Sequence, residues 1–173
     1  GWTKHETKCF QFFSGGHYWR SWSGSVNFCR EIGADIITIK NEVDQAYITA
    51  HNVNLQRSGV SGYWIGMKID ENGNPEWIDG TTVYYDEFQE DATKEPESCT
   101  LAKTTSGHNN WDTIGCNEQH PFICTASVGA RISIPEDINA DYRCDEGWHY
   151  FKNPLDLSES CYKITRNPQP GFN

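Results

Sequence analysis

The sequence is poor in positive charge. Its 14 Lys and Arg stand against 24 Asp and Glu, a formal net charge of −10 over 173 residues. Nucleic acids and sulfated polymers need clustered Lys and Arg, so nucleic acid is not an expected ligand. Long apolar runs are missing too: nothing approaches the roughly 20 residues that cross a bilayer, so membrane insertion of this segment is not expected. No short apolar block follows a basic start, as it would in a secretion signal, and any such segment is expected outside this chain. The six histidines, His5, His17, His51, His108, His120 and His149, never fall at the HExxH spacing of a metalloprotease. The stretch GVSG at 59–62 lacks the pattern of a nucleophile elbow, and no glycine-rich phosphate loop occurs. Without a nucleophile and base pair, the chain is not expected to be an enzyme. It also carries no Asn-X-Ser/Thr sequon, so N-glycosylation is not expected.

What the chain does contain is seven cysteines and seven tryptophans, beside a single methionine. That usage fits a disulfide-bonded protein of an oxidising compartment, secreted or on a cell-surface ectodomain. The length fits one domain with a real core plus a remnant, not two full domains.

Local patterns give an α+β reading. The segment SGSVNFCREI, residues 23–32, spaces Val26, Phe28 or Cys29, and Ile32 as a short amphipathic helix that opens on a serine and stops at Gly33. ADIITI, residues 34–39, is rich in β-branched residues and predicts a buried strand. NEVDQAYITAHNV starts on Asn41, a good helix cap, and places Val43, Ala46, Tyr47 and Ala50 on one face. Short aromatic stretches follow (GYWIGM, PEWIDG, TVYYDEF, SCTLAK, NNWDTIGC and PFICT), separated by turn-forming residues and expected as strands or structured loops.

The order of Cys29, Tyr63-Trp64-Ile65-Gly66, Trp77-Ile78-Asp79-Gly80, Cys99, Trp111, Cys116 and Pro121-Phe122-Ile123-Cys124 resembles the C-type lectin-like domain. The resemblance spans nearly all of residues 1–125. It implies two helices with small antiparallel sheets and long structured loops, held by the disulfides Cys29–Cys124 and Cys99–Cys116. Spacing alone leaves all three pairings of four cysteines open. Trp64 and Trp77 are assigned to the core.

A second pattern lies near the end. Gly147-Trp148, followed by aromatics and Cys161, repeats the character of Gly1-Trp2 and Cys9. The reading is a domain at 1–126, a linker at 127–143, and the N-terminal hairpin of a second, truncated domain at 144–173. Such an array resembles the mannose receptor family. Cys144 is expected to bond Cys161, while the counterpart for Cys9 falls before Gly1, leaving Cys9 unpaired.

In sugar-binding members of this family, a Glu-Pro-Asn or Gln-Pro-Asp tripeptide, a further glutamate and an Asn-Asp pair after a tryptophan hold calcium. The resemblance maps that set onto Glu95-Pro96-Glu97 and Trp111-Asp112-Thr113. Glu95, Glu97 and Asp112 are thus candidate metal ligands, and with Thr113 the candidate sugar-binding set. Three carboxylates satisfy part of calcium's need for six to eight oxygens. Thr113, however, replaces an aspartate with a neutral hydroxyl. Ionised Glu97 and Asp112 can only accept hydrogen bonds, where the family's asparagines donate to the sugar. The reading that follows is a recognition module with a degenerate calcium and sugar site, which binds protein or contacts neighbouring domains. The acidic run Asp86, Glu87, Glu90 and Asp91, with Tyr84, Tyr85 and Phe88, suits a basic partner. The alternative is a calcium-dependent, carbohydrate-binding lectin with an atypical site. DENGNPEWIDGT, beginning at Asp70, is expected as a solvated hairpin turn, because Pro75 stands where a calcium loop needs glycine.

Overall fold

A computed structural model describes residues 1–57, 59–90, 94–105, 110–133, 149–152 and 159–162. The chain divides into two compact units, residues 1–133 and 134–173.

The first unit opens with a hairpin of β1 (Thr3–His5) and β2 (Lys8–Phe13). Helix α1 (Trp22–Glu31) follows. Its cap is Ser21, two residues earlier than the expected serine: Ser21 Oγ accepts from Gly24 N at 3.2 Å. The helix starts there because Trp22 is itself buried, its indole N–H donating to Ile65 O at 2.8 Å. It ends at Gly33, as expected, where φ is +84°.

The expected strand over 34–39 reduces to β3 (Asp35–Ile36), paired with Thr125 and Cys124. The chain then passes between strands: Ile37 N donates to Ile123 O at 2.9 Å, and Ile37 O accepts from Gly66 N at 2.7 Å. Ile36, Ile37 and Ile39 are all buried.

Helix α2 (Glu42–Arg57) is capped as expected by Asn41, whose Oδ1 accepts from Asp44 N at 2.8 Å. Its orientation differs from expectation. Val43, Ala46 and Ala50 are exposed and Tyr47 is half-buried, whereas Asp44, Gln45, Ile48, Asn52 and Leu55 face inward. Counting apolar residues chose the wrong face because two of the inward polar groups have partners. Lys8 Nζ reaches Asp44 Oδ2 at 3.2 Å, and Trp111 Nε1 donates to Gln45 Oε1 at 3.3 Å.

The remaining strands are β4 (Gly62–Ile69), β5 (Pro75–Trp77), β6 (Cys99–Lys103), β7 (Trp111–Ile114) and β8 (Phe122–Ser127). In place of several small sheets, the described strands of this unit join in one mixed sheet. Its order is β1-β2-β8-β4-β6-β7, with β3 on β8 and β5 on β4. A parallel contact, Trp64 with Phe122, sets β8 against β4. Central β4 is buried on both faces save for Lys68, which explains its unbroken apolar run. TVYYDEF forms no strand: only Phe88 bridges, to Trp111.

Two disulfides staple the unit in the pairing implied by the family, Cys29–Cys124 and Cys99–Cys116. Cys9 carries a free thiol. Trp64 and Trp77 are core residues, 0 % and 3 % exposed. The expected linker begins as part of this unit, since Val128 N donates to Thr7 O and Ser133 N to Ile32 O, each at 3.1 Å.

In the second unit the described residues form the hairpin β9 (His149–Lys152) with β10 (Glu159–Tyr162). Cys144, and hence its expected bond to Cys161, lies outside the described residues. No helix among the described residues is long and apolar enough to cross a membrane.

Candidate functional site

Strands β6 and β7 carry half of the expected site. Their antiparallel register sets Thr100 opposite Thr113, Leu101 opposite Asp112 and Ala102 opposite Trp111. Successive side chains alternate between faces, so Lys103 shares a face with Leu101 and stands diagonal to Asp112. The two meet: Lys103 Nζ lies 2.9 Å from Asp112 Oδ2, with both side chains about half exposed. The other oxygen, Oδ1, accepts from Thr113 N at 2.9 Å. Both carboxylate oxygens of Asp112 therefore have donors from the chain itself.

Trp111, beside them, serves architecture. It is 3 % exposed. Trp77, Tyr85 and Phe88 meet its ring edge to face at 5.8, 6.1 and 5.8 Å.

The other half of the expected site is a turn. Ser98 N donates to Glu95 O at 3.3 Å, and Glu97 takes a left-handed φ of +58° to close the bend. This turn rests on the Asp70 hairpin through Glu97 N to Asp70 O at 3.4 Å. Glu95 and Glu97 are both exposed. Glu97 precedes β6, while Asp112 lies opposite Leu101 farther along that strand. Among the described residues no three His, Cys, Asp or Glu side chains are grouped as a metal ion requires, and Glu95, Glu97 and Asp112 are not brought together.

The Asp70 segment is the turn expected of it. Asp70 Oδ1 accepts from Asn72 N at 2.8 Å and Asn74 N at 2.7 Å. These bonds, with that from Asn74 foremost, hold its carboxyl below the usual range. The acidic run is split by burial. Asp86 and Glu90 are exposed, Glu87 is buried with Tyr85 donating to its carboxylate, and Asp91 lies outside the described residues. Nearby, Asp79 is paired with Lys40 and accepts from Thr81 N at 3.0 Å.

Sequence reasoning did not find Lys103. The β6–β7 register carries that signal, and the distance in sequence between Lys103 and Asp112 hides it from a linear reading.

Comparison with known proteins agrees with this architecture. The Lectin C-type domain family matches residues 19–126. One chain of a snaclec coagulation factor IX-binding protein from Protobothrops flavoviridis is 28% identical over 134 residues, 73% of this chain and 97% of that relative. C-type mannose receptor 2 of Mus musculus is 27% identical over 164 residues, 90% of this chain but 10% of the receptor. Among solved structures, a Ca2+-independent C-type lectin, SPL-2 of Saxidomus purpuratus, superposes with a TM-score of 0.62 at 22% identity, covering 75% of this chain and 93% of that one. With its two helices, mixed sheet and two disulfides, the chain is a non-enzymatic binding module and belongs to the C-type lectin domain family.

Proposed function

We propose that the chain is an extracellular recognition module that binds protein, on a scaffold whose calcium and sugar site has degenerated. The observation that carries this reading is the Lys103–Asp112 pair. Where the family's pattern calls for a calcium ligand, Asp112 is engaged by an ammonium and a backbone N–H. Thr113 brings no charge, and Glu95 and Glu97 sit on a separate turn. This donor set does not suit a resident calcium ion, which needs six to eight oxygens converging at about 2.4 Å. A sugar hydroxyl placed there meets carboxylates that only accept, and each lost hydrogen bond costs about 1 to 3 kcal/mol.

Calcium titration by calorimetry, paired with a thermal melt with and without chelator, tests the reading. No heat of binding and an unmoved melting temperature are expected. Saturable binding with a melt that falls on chelation supports the other assignment, a calcium-dependent lectin built on Glu95, Glu97, Asp112 and Thr113.

The C-terminal hairpin supports a tandem arrangement, with a domain at 1–126 and the opening hairpin of a second at 144–173. In the first hairpin Lys4, third after Gly1, pairs with Cys9. In the second, Tyr150, third after Gly147, pairs with Cys161. The mannose receptor match, longer than that of the snaclec relative, is in keeping with it. In this reading neighbouring C-type lectin-like domains are partners too. Alkylation of the denatured, unreduced protein is expected to label one cysteine, Cys9. Finding Cys9 bonded to Cys144 or Cys161 removes the argument.

A further inference from the structure

The apolar stripe of α2 that faces outward is not bare surface. Val43, Ala46, Tyr47 and Ala50 form one wall of an open cleft of about 900 Å³, and Tyr85 and Glu87 line it opposite. His5, stacked on Tyr47 at 4.0 Å, also lines the cleft. Helical spacing explains the wall: residues three, four and seven apart share a face. Its small side chains leave the room. Val43, in the wall itself, is 56% exposed, and Tyr84, next in sequence to Tyr85, is 91% exposed. Tyrosines such as Tyr47 and Tyr85 in the lining are among the residues that anchor protein partners.

The charge of the cleft has one sign. Glu42 and Glu87 line it, and Asp86 adjoins them. Burial, the hydrogen bond to Glu87, and the charges of Glu87, Glu42 and Asp86 together hold the Tyr85 phenol well above its usual range. Lys8 of β2 is paired with Asp44 of α2. Apolar wall and acidic lining are complementary to one kind of group, an aliphatic stem that ends in a cation.

We propose that this cleft docks a segment of a partner protein that carries a Lys or Arg between apolar residues. The basic side chain lies along Ala46 and Ala50 with its head toward Glu42 and Glu87, and a flanking apolar residue packs on Val43 and Tyr47. The proposal rests on the protein-recognition reading and names its surface. That surface is α2 and the 84–87 loop, which packs on Trp111 of β7, and it is lined by neither the Glu95–Glu97 turn nor Asp112.

The test is a titration of the isotope-labelled chain, followed by amide chemical shifts, with a short blocked peptide of alternating leucine and arginine. Its counterpart with glutamate for arginine is the control. Shifts at Val43, Ala46, Ala50 and Tyr85 are expected with the basic peptide only, weakening at high salt. Ala46→Arg fills the cleft with bulk and like charge, at an exposed helical position that tolerates arginine. That variant and, more mildly, Glu42→Gln should weaken binding, the former by at least about tenfold. Equal binding to Ala46→Arg, equal binding of the acidic peptide, or no shift at all overturns the proposal. Shifts confined to another surface overturn it while leaving protein recognition standing, and calcium-dependent glycan binding defeats the recognition reading itself.

Discussion

Trp111 on β7 donates its indole N–H to Gln45 Oε1 on α2, a buried bond of 3.3 Å that ties the helix to the motif strand. Gln45 is 7% exposed and Trp111 3%, so water cannot replace either partner. Gln45→Leu is expected to cost about 1 to 3 kcal/mol, because it strands a buried donor. Trp111→Phe removes that donor together with part of the ring packed against Trp77 and Phe88. The double variant should therefore lose less than the sum of the two, with a coupling of at least about 0.5 kcal/mol in urea unfolding. Strict additivity would mean the bond contributes nothing.

Acid should act on the loop after β5. Partial burial raises the Asp79 carboxyl, but hydrogen bonds from Lys40 and Thr81 outweigh it and hold the group below its usual value. A carboxyl depressed in the folded state contributes stability above the unfolded value near 4, and loses it as pH falls through the folded value. Asp79→Asn is thus expected to be slightly less stable than the parent at neutral pH. The gap should close as pH drops below about 4. The side chain is 39% exposed, so the effect is small, and salt should shrink it further. A gap unchanged down to strong acid would assign the loss to something other than charge.

The fold was legible because its markers are chemically distinctive and far apart. Cys29, Trp64, Trp77 and Cys124 are among the residues that carry the resemblance to the family, and each is buried here. The direction of α2 was not legible, since Asp44 and Gln45 look like surface residues until Lys8 and Trp111 are folded against them. For TVYYDEF the sequence leaves strand and structured loop open, and it is the loop: Tyr85 and Phe88 serve as edge-to-face supports for Trp111 and need no ladder. At the positions matched to the family's calcium set, the neutral hydroxyl of Thr113 is visible in the sequence itself. The cation on Asp112 is not, because a diagonal pair depends on register.

The stop of α1 is set by Gly33. Its φ of +84° disfavours any side chain, and a Cβ built there would stand 2.7 Å from Arg131 O, a backbone atom with little room to retreat. Gly33→Ala should therefore destabilise by more than the 1 kcal/mol or so of a left-handed alanine alone. It should also loosen the bond from Ser133 N to Ile32 O next to it. Hydrogen exchange at Ser133 reads that second effect, and protection equal to the parent's would show that the segment 131–133 yields without strain.

The two disulfides close loops of very different length, with sequence separations of 95 and 17 residues. In the chain-entropy account, stabilisation grows as 1.5RT times the logarithm of loop length, so Cys29–Cys124 should be worth about 1.5 kcal/mol more than Cys99–Cys116. The longer bridge also ties α1 to β8 where both sulfurs are fully buried, so its removal leaves a cavity as well. Cys29→Ala with Cys124→Ala is expected to lower stability by about 4 to 5 kcal/mol or more, enough to unfold a marginal domain. Cys99→Ala with Cys116→Ala should lose about 3 kcal/mol and leave the fold intact. Its effect should concentrate where Cys99 and Cys116 pin the Glu97 turn to the end of β7. Equal losses from the two pairs in denaturant unfolding would show that local packing, and not loop closure, sets what each bridge contributes.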